Sequence, residues 1–206
     1  MAQFFAIHPT HPQRRLVRQA ADIVRKGGLI AYPTDSCYAL GCRLGEARAA
    51  ERLRAIRGID ERHHLTLMCR DLSEIAKYAR VDDRNFALLK IPGSYTFILP
   101  ARREVPRRLT RKKTIGVRIP GHPVAHALLA ELDEPMLSST LALPGDAAPL
   151  ADAQEIRARL ERRLELIIDA GACDTQPSTV LDLTGDELQV LRKGKGSLAP
   201  FAVEPV

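Results

Sequence analysis

The sequence predicts an α/β protein built on a mixed sheet, and two of its patterns support this prediction. Short apolar runs typical of buried strands alternate along the chain with segments whose apolar residues recur at helical spacing, as in a sheet flanked by helices. Near the C-terminus, Gly185 and Asp186 separate the strand-like runs Thr179 to Leu183 and Glu187 to Leu191, which is the pattern of an antiparallel hairpin. A hairpin within an otherwise alternating α/β chain makes the sheet mixed rather than purely parallel.

Length and composition support one domain over residues 1–206. Because 45% of the residues are hydrophobic, a chain of this length can bury a sizeable core. No apolar run approaches the roughly 18 residues that a membrane span needs, and Met1 to Arg15 lacks the apolar core of a signal peptide. We therefore expect a cytoplasmic protein with no membrane partner, and leave its oligomeric state open.

In the first half of the chain, apolar residues at helical spacing predict helices, and short apolar runs between them predict strands. Gly27 and Gly28 end the first helix, and Asp71 followed by Glu74 has the spacing of a helix-capping box. The predicted helices are Gln13 to Lys26, Glu46 to Arg57, Asp71 to Ala79 and Arg84 to Lys90, and the predicted strands begin at Leu29 and at Leu65.

The second half is richer in predicted strands. Pro123 is tolerated in the first turn of a helix, and Asp152 is placed to cap another. Lys193 to Gly196 matches neither the phosphate loop nor the dinucleotide fingerprint, so a flexible turn is predicted there. Besides the hairpin, the predicted strands are Tyr95 to Leu99, Ile115 to Ile119, Met136 to Leu143 and Leu166 to Asp169, and the predicted helices are His122 to Leu132 and Asp152 to Arg163.

Three chemistries are disfavoured by the residue patterns. The four cysteines have no CxxC spacing, so we expect buried free thiols, with neither disulfides nor a metal site. His122 and His126 are four residues apart, but the zinc-protease pattern requires a Glu beside the first His, where this chain has Pro123. Without a Gly-x-Ser-x-Gly elbow, acyl transfer by a serine nucleophile has no support.

The first predicted strand stops at Pro33, and the residues that follow are the main candidate for a ligand site. Proline lacks a backbone donor and interrupts a strand, so Thr34, Asp35 and Ser36 should form a turn, followed by the hydroxyl of Tyr38. Open α/β sheets bind ligands at strand ends. The alternative is an Asx- or Ser/Thr-turn that holds no ligand.

Arginine and hydroxyl residues recur at other predicted strand ends, and the chain is basic, with a net charge of +6 and a pI near 9.4. Guanidinium groups bind phosphate and carboxylate in a bidentate manner, and hydroxyls fill the remaining lone pairs. Such a set suits an anionic ligand such as a nucleotide, nucleic acid or phosphate. Its members are Arg57, Thr96, Arg118, Ser138, Ser139, Thr140, Ser178, Thr179 and Arg192.

A basic run from Ala101 to Lys113 motivates an alternative function. Charge runs are usually solvated loops, but this one has seven basic residues against one Glu. It fits a non-catalytic protein that binds double-stranded or ribosomal RNA through phosphate contacts, since only 4% of residues are aromatic and base stacking is poorly supplied. The candidate RNA-binding residues are Arg107, Arg108, Arg111, Lys112 and Lys113.

Five motifs, in order, resemble the signature of the YrdC/YciO family, and the likeness is greatest to its YciO branch. They span about residues 13 to 200. The YciO-like features are the opening from Gln3 to Pro9 and the segment Leu65 to Leu72. The five motifs are Tyr32-Pro-Thr-Asp-Ser-Cys-Tyr38-Ala-Leu-Gly-Cys42, Pro92-Gly-Ser-Tyr-Thr-Phe-Ile-Leu99, Ile115-Gly-Val-Arg-Ile-Pro120 with His122-Pro123, Pro177-Ser-Thr-Val-Leu-Asp182 and Leu191-Arg-Lys-Gly194.

This resemblance implies a twisted, open sheet with a basic concave cleft, and a relative of the threonylcarbamoyl-AMP synthases. Those enzymes combine L-threonine, bicarbonate and ATP with Mg²⁺, release pyrophosphate, and act in threonylcarbamoyl modification of adenosine 37 of transfer RNA. No tightly bound cofactor is expected. The resemblance implies catalytic roles for Arg57 and Arg118, substrate binding by Thr34, Asp35, Tyr38 and Ser178, and nucleotide binding by Thr96, Thr140 and Arg192.

Two departures from the synthase pattern predict weak or altered activity. Where synthases have Lys-x-Arg-Pro, this chain has Arg57-Gly-Ile59-Asp60, and their Ser-Ala-Asn is matched by Thr140-Leu-Ala142. Ile59 cannot supply a cation, and Ala142 cannot make the hydrogen bonds of an Asn amide. A further alternative is a small-molecule binder without turnover.

Overall fold

The computed structural model describes residues 1–60, 63, 65–91, 93–103, 105 and 113–201. Within these residues, ten strands form one open, twisted sheet flanked by six helices. The strands are β1 (Gln3–Ala6), β2 (Ile30–Tyr32), β3 (Ala39–Arg43), β4 (Thr66–Met68), β5 (Tyr95–Pro100), β6 (Thr114–Arg118), β7 (Met136–Thr140), β8 (Leu166–Asp169), β9 (Thr179–Asp182) and β10 (Gln189–Arg192). The helices are α1 (Arg14–Arg25), α2 (Ala47–Arg57), α3 (Leu72–Tyr78), α4 (Asp83–Leu89), α5 (Pro123–Leu132) and α6 (Ala153–Leu160).

The sheet is mixed, as the sequence predicts. Its order is β1-β8-β2-β3-β7-β4-β6-β5-β9-β10. Four neighbouring pairs are parallel, namely β1 with β8, β8 with β2, β4 with β6, and β5 with β9. The other neighbours are antiparallel, including the predicted hairpin of β9 and β10.

Helices cover the two faces of the sheet unequally. Apolar residues of α2, α3, α4 and α6 pack with one face in a core cluster that reaches from β2 to β9. On the opposite face, α1 and α5 pack against β8, β2 and β3 and form a second cluster, which we call the covered half. The part of that same face formed by β7, β4, β6, β5 and β9 we call the open half.

Two strands were not predicted from the sequence. β1 pairs with β8 at one edge, and β3 pairs with both β2 and β7. Gly41 lies in β3, and the ring of Tyr32 crosses it. A Cβ at this position would lie 2.7 Å from Cε1 of that ring. The residue is therefore glycine because of a packing contact, not because of a turn.

Helix boundaries agree closely with the predicted ones, and their caps explain why. The carboxylates of Asp71, Asp82 and Asp152 accept backbone hydrogen bonds at the starts of α3, α4 and α6, which satisfies amides that have no helical partner. The predicted end of α6 at Arg163 is wrong, because the helix ends at Leu160 and turns follow. None of the helices in the described ranges combines the length and the apolar character that crossing a membrane requires.

Candidate functional site

Alternate residues of the open half line a cavity of about 290 Å³. Side chains of paired residues on neighbouring strands point to the same side of a sheet, and Thr66 pairs with both Ser138 and Gly116, while Met68 pairs with Arg118. The floor is therefore built of hydroxyls, a glycine and an arginine at every second position. The lining is Thr34, Ser36, Cys37, Ala39, Arg57, His63, Thr66, Met68, Thr96, Ile98, Gly116, Arg118, Ser138, Ser139, Thr140, Ser178, Val180, Leu191 and Arg192.

Arg118, at the end of β6, is the most deeply buried cation of this lining, with 6% of its surface exposed. Its Nη1 donates to Ser36 Oγ at 3.0 Å and its Nη2 to Asp35 Oδ1 at 2.8 Å. Its Nε is buried and has no hydrogen-bond partner. Two contacts thus fix the guanidinium, and its Nε is left buried without a partner.

Arg57, the last residue of α2, reaches the cavity from the helix end. Its Nε donates to Ser139 Oγ at 3.1 Å, and its Nη1 donates to the carbonyl of Ala142. Burial lowers the pKa of Arg57, and the charge of Arg192 lowers it further. The side chain is therefore anchored near a second cation.

Arg192, in β10, lies at the exposed rim. Its Nε and Nη2 both donate to the carbonyl of Ser178, at 3.1 and 2.9 Å, and the Ser178 hydroxyl lies 2.8 Å from that of Thr96. Burial lowers the pKa of Arg192, Cys37 opposes this, and Arg118 adds to the lowering. Since arginine stays protonated, Arg192 is repelled by both Arg57 and Arg118, and a bound anion would relieve that repulsion.

Thr34, Asp35 and Ser36 form the turn predicted after Pro33. The Thr34 hydroxyl donates to the carbonyl of Cys37 at 2.6 Å and accepts from the amide of Ser36 at 3.2 Å, the pattern of a Ser/Thr turn. Both Thr34 and Ser36 line the cavity. The turn and the ligand site are thus not alternatives, because the turn presents hydroxyl groups to the cavity.

Asp35 and Tyr38, both predicted to bind substrate, have other partners and are not part of the lining. The Tyr38 hydroxyl donates to the carbonyl of Gly171 at 2.8 Å, and burial raises the pKa of Tyr38. Asp35 accepts hydrogen bonds from Arg118, Ser94 and the amide of Gly121. Their predicted contact with substrate stays a prediction.

The predicted flexible turn from Lys193 to Gly196 is instead tightly packed. The amide of Gly194 donates to Thr179 Oγ1 at 3.0 Å, and that hydroxyl donates to the carbonyl of Gly196 at 2.6 Å. A Cβ on Gly194 would lie 2.2 Å from the carbonyl oxygen of Pro177. Glycine is therefore required here by close backbone approach, and the loop is bonded to Thr179, which lies between the lining residues Ser178 and Val180 in the chain.

Sequence reasoning did not single out several lining residues. Cys37 and Met68 appear apolar and structural, and Thr66 and Ile98 lie inside predicted strands. Their signal was the two-residue spacing, because Thr66 and Met68, like Thr96 and Ile98, point to the same side of one strand. Burial raises the pKa of Cys37 to about 11, so its thiol stays protonated at neutral pH.

The other predicted sites have different outcomes. Arg107, Arg108, Arg111 and Lys112 lie outside the described residues, and Lys113 is exposed, with its carbonyl accepting from the amide of Ala101 at 2.8 Å. Cys37, Cys42 and Cys69 are buried, as expected, whereas Cys173 is half-buried. Among the described residues, no group of three or more His, Cys, Asp or Glu side chains could hold a metal ion.

The fold and site together define an α/β protein whose open half carries a cationic, hydroxyl-lined cavity suited to an anionic ligand. A family model for the Sua5/YciO/YrdC domain, described as Telomere recombination, matches residues 22–194. The chain belongs to this family, which confirms the resemblance and the fold inferred from sequence. The larger basic cleft stays a prediction.

Two relatives are similar to the chain over nearly all of its length. YciO of Escherichia coli is 53% identical over 205 residues, 98% of this chain and all of YciO, and its crystal structure matches with a TM-score of 0.93. A protein of Haemophilus influenzae is 50% identical over 206 residues, 98% of this chain and all of its own. Sua5 of P. abyssi, in a crystal structure with L-threonine, is 26% identical with a TM-score of 0.84, covering 93% of this chain and 57% of Sua5.

Proposed function

We propose that this protein binds ATP and L-threonine in the open-half cavity and catalyses, weakly or in altered form, the threonylcarbamoyl-AMP synthase reaction that serves transfer RNA modification. The observation that carries the proposal is the convergence of Arg57, Arg118 and Arg192 on one hydroxyl-lined cavity. Threonine as a ligand is supported by the complex of Sua5, a family member of similar structure, with L-threonine.

In this reaction, the threonine amine and bicarbonate form a carbamate with loss of water, and a carbamate oxygen attacks the α-phosphorus of ATP. A new bond joins the carbamate oxygen to that phosphorus, and the bond to the bridging oxygen breaks, so pyrophosphate leaves with the electron pair. Arg57, Arg118 and Arg192 would stabilise the negative charge that builds on the phosphate oxygens. Mg²⁺ would enter as the counter-ion of ATP, because the described part of the lining contains no carboxylate.

The two departures from the synthase pattern support weakened activity. Ile59 is half-buried and packs against the core, so it offers no donor where synthases have a second cation. Ala142 accepts from Arg57 through its backbone carbonyl and has no side-chain amide. A hydrogen bond to a charged group contributes roughly 1.5–3 kcal/mol, so each loss would slow the reaction by about tenfold to a hundredfold.

The test is pyrophosphate release from ATP with Mg²⁺ and bicarbonate, with and without L-threonine. Threonine-dependent release that is lost in Arg118→Ala but kept in Arg15→Ala would support the proposal. Arg15 is a matched control because it is exposed on α1, away from the cavity lining.

Other outcomes separate the alternatives. Pyrophosphate release that is the same with and without L-threonine would contradict the proposal that the protein binds threonine. If there is no release but calorimetry detects ATP binding, the site is a nucleotide pocket without this turnover. If ATP does not bind, titration with double-stranded RNA at several salt concentrations would test the alternative function, because phosphate contacts weaken steeply with salt.

A further inference from the structure

Asp35 is held by donors from three parts of the chain. Its Oδ1 accepts from Arg118 Nη2 at 2.8 Å and from the amide of Gly121 at 3.0 Å, and its Oδ2 accepts from Ser94 Oγ at 2.6 Å. The carboxylate is 20% exposed and does not line the cavity. Such a fully engaged carboxylate is suited to fixing a neighbour, not to binding an anionic substrate.

The neighbour that Asp35 contacts is Arg118, whose guanidinium is fixed by two side-chain partners. Nη1 and Nη2 of Arg118 are bonded to Ser36 and Asp35, whereas Nε is buried without a partner. A buried donor left unpaired is costly, and Arg118 lines the cavity. The arrangement therefore fixes the guanidinium at the cavity wall, where its charge acts on a bound anion.

We infer that Asp35 is a positioning residue, which orients the Arg118 guanidinium so that its charge faces the bound anion. Burial alone would raise the pKa of Asp35, but Arg118, Ser94 and Gly121 outweigh it and lower that pKa. Asp35 is therefore ionised at neutral pH and holds Arg118 by a charge-assisted bond. This inference rests on the proposed function only in requiring that the cavity bind an anion.

The inference makes a prediction opposite to that of simple electrostatics. A carboxylate close to an anion site repels the anion, so neutralising it would ordinarily tighten binding. If Asp35 acts through Arg118, Asp35→Asn should instead weaken binding of inorganic pyrophosphate by about tenfold, because the guanidinium loses its fixed orientation. In an Arg118→Ala background only the repulsion remains, so the same change should leave affinity unchanged or tighten it.

The experiment is a double-mutant cycle on the full chain, with pyrophosphate affinity measured by calorimetry at low salt and folding checked by thermal unfolding. Asp174→Asn is the matched control: Asp174 is a carboxylate paired with Lys195 and has no hydrogen bond to Arg118. Asp174→Asn should not weaken pyrophosphate binding, whether Arg118 is present or replaced. Ser94→Ala removes one donor to Asp35 and should weaken binding by about threefold, again only when Arg118 is present.

The outcomes distinguish the two proposals. If Arg118→Ala does not weaken pyrophosphate binding, the anion cavity of the proposed function is wrong. The positioning role is overturned, and the anion cavity is kept, if Arg118→Ala weakens pyrophosphate binding but Asp35→Asn tightens it. The same conclusion follows if Asp35→Asn causes as large a loss of affinity in the Arg118→Ala background as it does alone. Should Asp35→Asn fail to fold, the effect of Ser94→Ala on pyrophosphate affinity, measured with and without Arg118, decides instead.

Discussion

The covered half and the open half belong to one face of one sheet and differ at alternate positions of their strands. Under α1 and α5, these positions are apolar, as with Ile30 in β2 and Ile168 in β8. In the open half they are Thr66, Gly116 and Arg118. On the opposite face most residues are apolar in both halves, with Ser139 and Thr179 as polar exceptions. The comparison teaches that the site lies where, among the described residues, no helix covers this face and the alternate strand positions are polar.

The largest expected effect comes from the covered half. Leu129 of α5 is fully buried, so Leu129→Ala should lower the free energy of unfolding by about 2–5 kcal/mol through lost burial and the cavity left behind. Denaturant unfolding measures this loss. Pyrophosphate affinity, taken well below the unfolding transition, should stay unchanged, and a clear loss would show that the halves are not separable.

The same substitution in each half should have opposite consequences. Gly41→Ala forces a Cβ within 2.7 Å of the Tyr32 ring and should cost about 1–3 kcal/mol of stability through overpacking. At Gly116 the nearest atoms are the Ile98 Cδ1, at 3.3 Å, and the Thr96 Cγ2, at 3.9 Å. Gly116→Ala should change stability by less than about 0.5 kcal/mol yet weaken ligand binding several-fold, because it fills the floor.

Unfolding and calorimetric titration of both glycine variants would check this pair. The comparison fails if Gly116→Ala binds ligand as tightly as the unchanged protein, or if it loses as much stability as Gly41→Ala.

A smaller effect is expected at the boundary between the halves. The Tyr32 hydroxyl is 2.8 Å from Ser138 Oγ, a cavity-lining group, so Tyr32→Phe should cost roughly 0.5–1.5 kcal/mol and also alter ligand affinity. Tyr38→Phe removes a similar bond, to Gly171, outside the lining. It should lower stability by a similar amount in denaturant unfolding but leave pyrophosphate affinity, measured by calorimetry, unchanged. Equal losses of that affinity in both variants would contradict this distinction.

The smallest effect concerns pH and the start of α5. Nδ1 of His122 accepts from the amide of Val124 at 3.2 Å, which requires that nitrogen to be unprotonated. Burial lowers the pKa of His122, although Asp35 opposes it, so the unfolded chain binds the proton more readily. The stability from this group is therefore present above about pH 6.5 and lost as the pH falls through the lower, folded-state pKa.

His122→Asn keeps a capping acceptor without titrating. The free energy of unfolding from denaturant titrations should fall less between pH 7.5 and 5 in this variant than in the unchanged protein, by a difference of at most about 1 kcal/mol. An identical pH dependence in the two proteins would assign the acid sensitivity to other groups.

Much of the fold was predictable because helix starts and buried strands have local signals. Asp82 before α4 is an example, since its side chain caps the helix by a bond to the amide three residues later. β3 lacked such a signal, because Gly41 resembles a turn residue until the ring of Tyr32 is placed over it. Gly194 was misjudged for the same reason: the contact that requires it comes from Pro177, a residue distant in sequence.

The candidate site was also predictable in part. Arg57, Arg118 and Arg192 were expected from residue chemistry and the family resemblance, and all three line the cavity. That Asp35 and Tyr38 turn away from it was not predictable, because residue type does not determine which partner a side chain finds. Asp35 meets Arg118 only when β6 ends beside the turn after β2.

The contact between Tyr32 and Ser138 also gives the protein a built-in optical probe. The chain has no tryptophan and only four tyrosines, so its near-ultraviolet absorption and emission come almost entirely from phenol rings. One of these rings is fully buried in the covered half, and its hydroxyl bonds to a group on the cavity floor. Occupancy of the cavity should therefore be visible in tyrosine difference spectra without any label, and Tyr32→Phe should remove that signal.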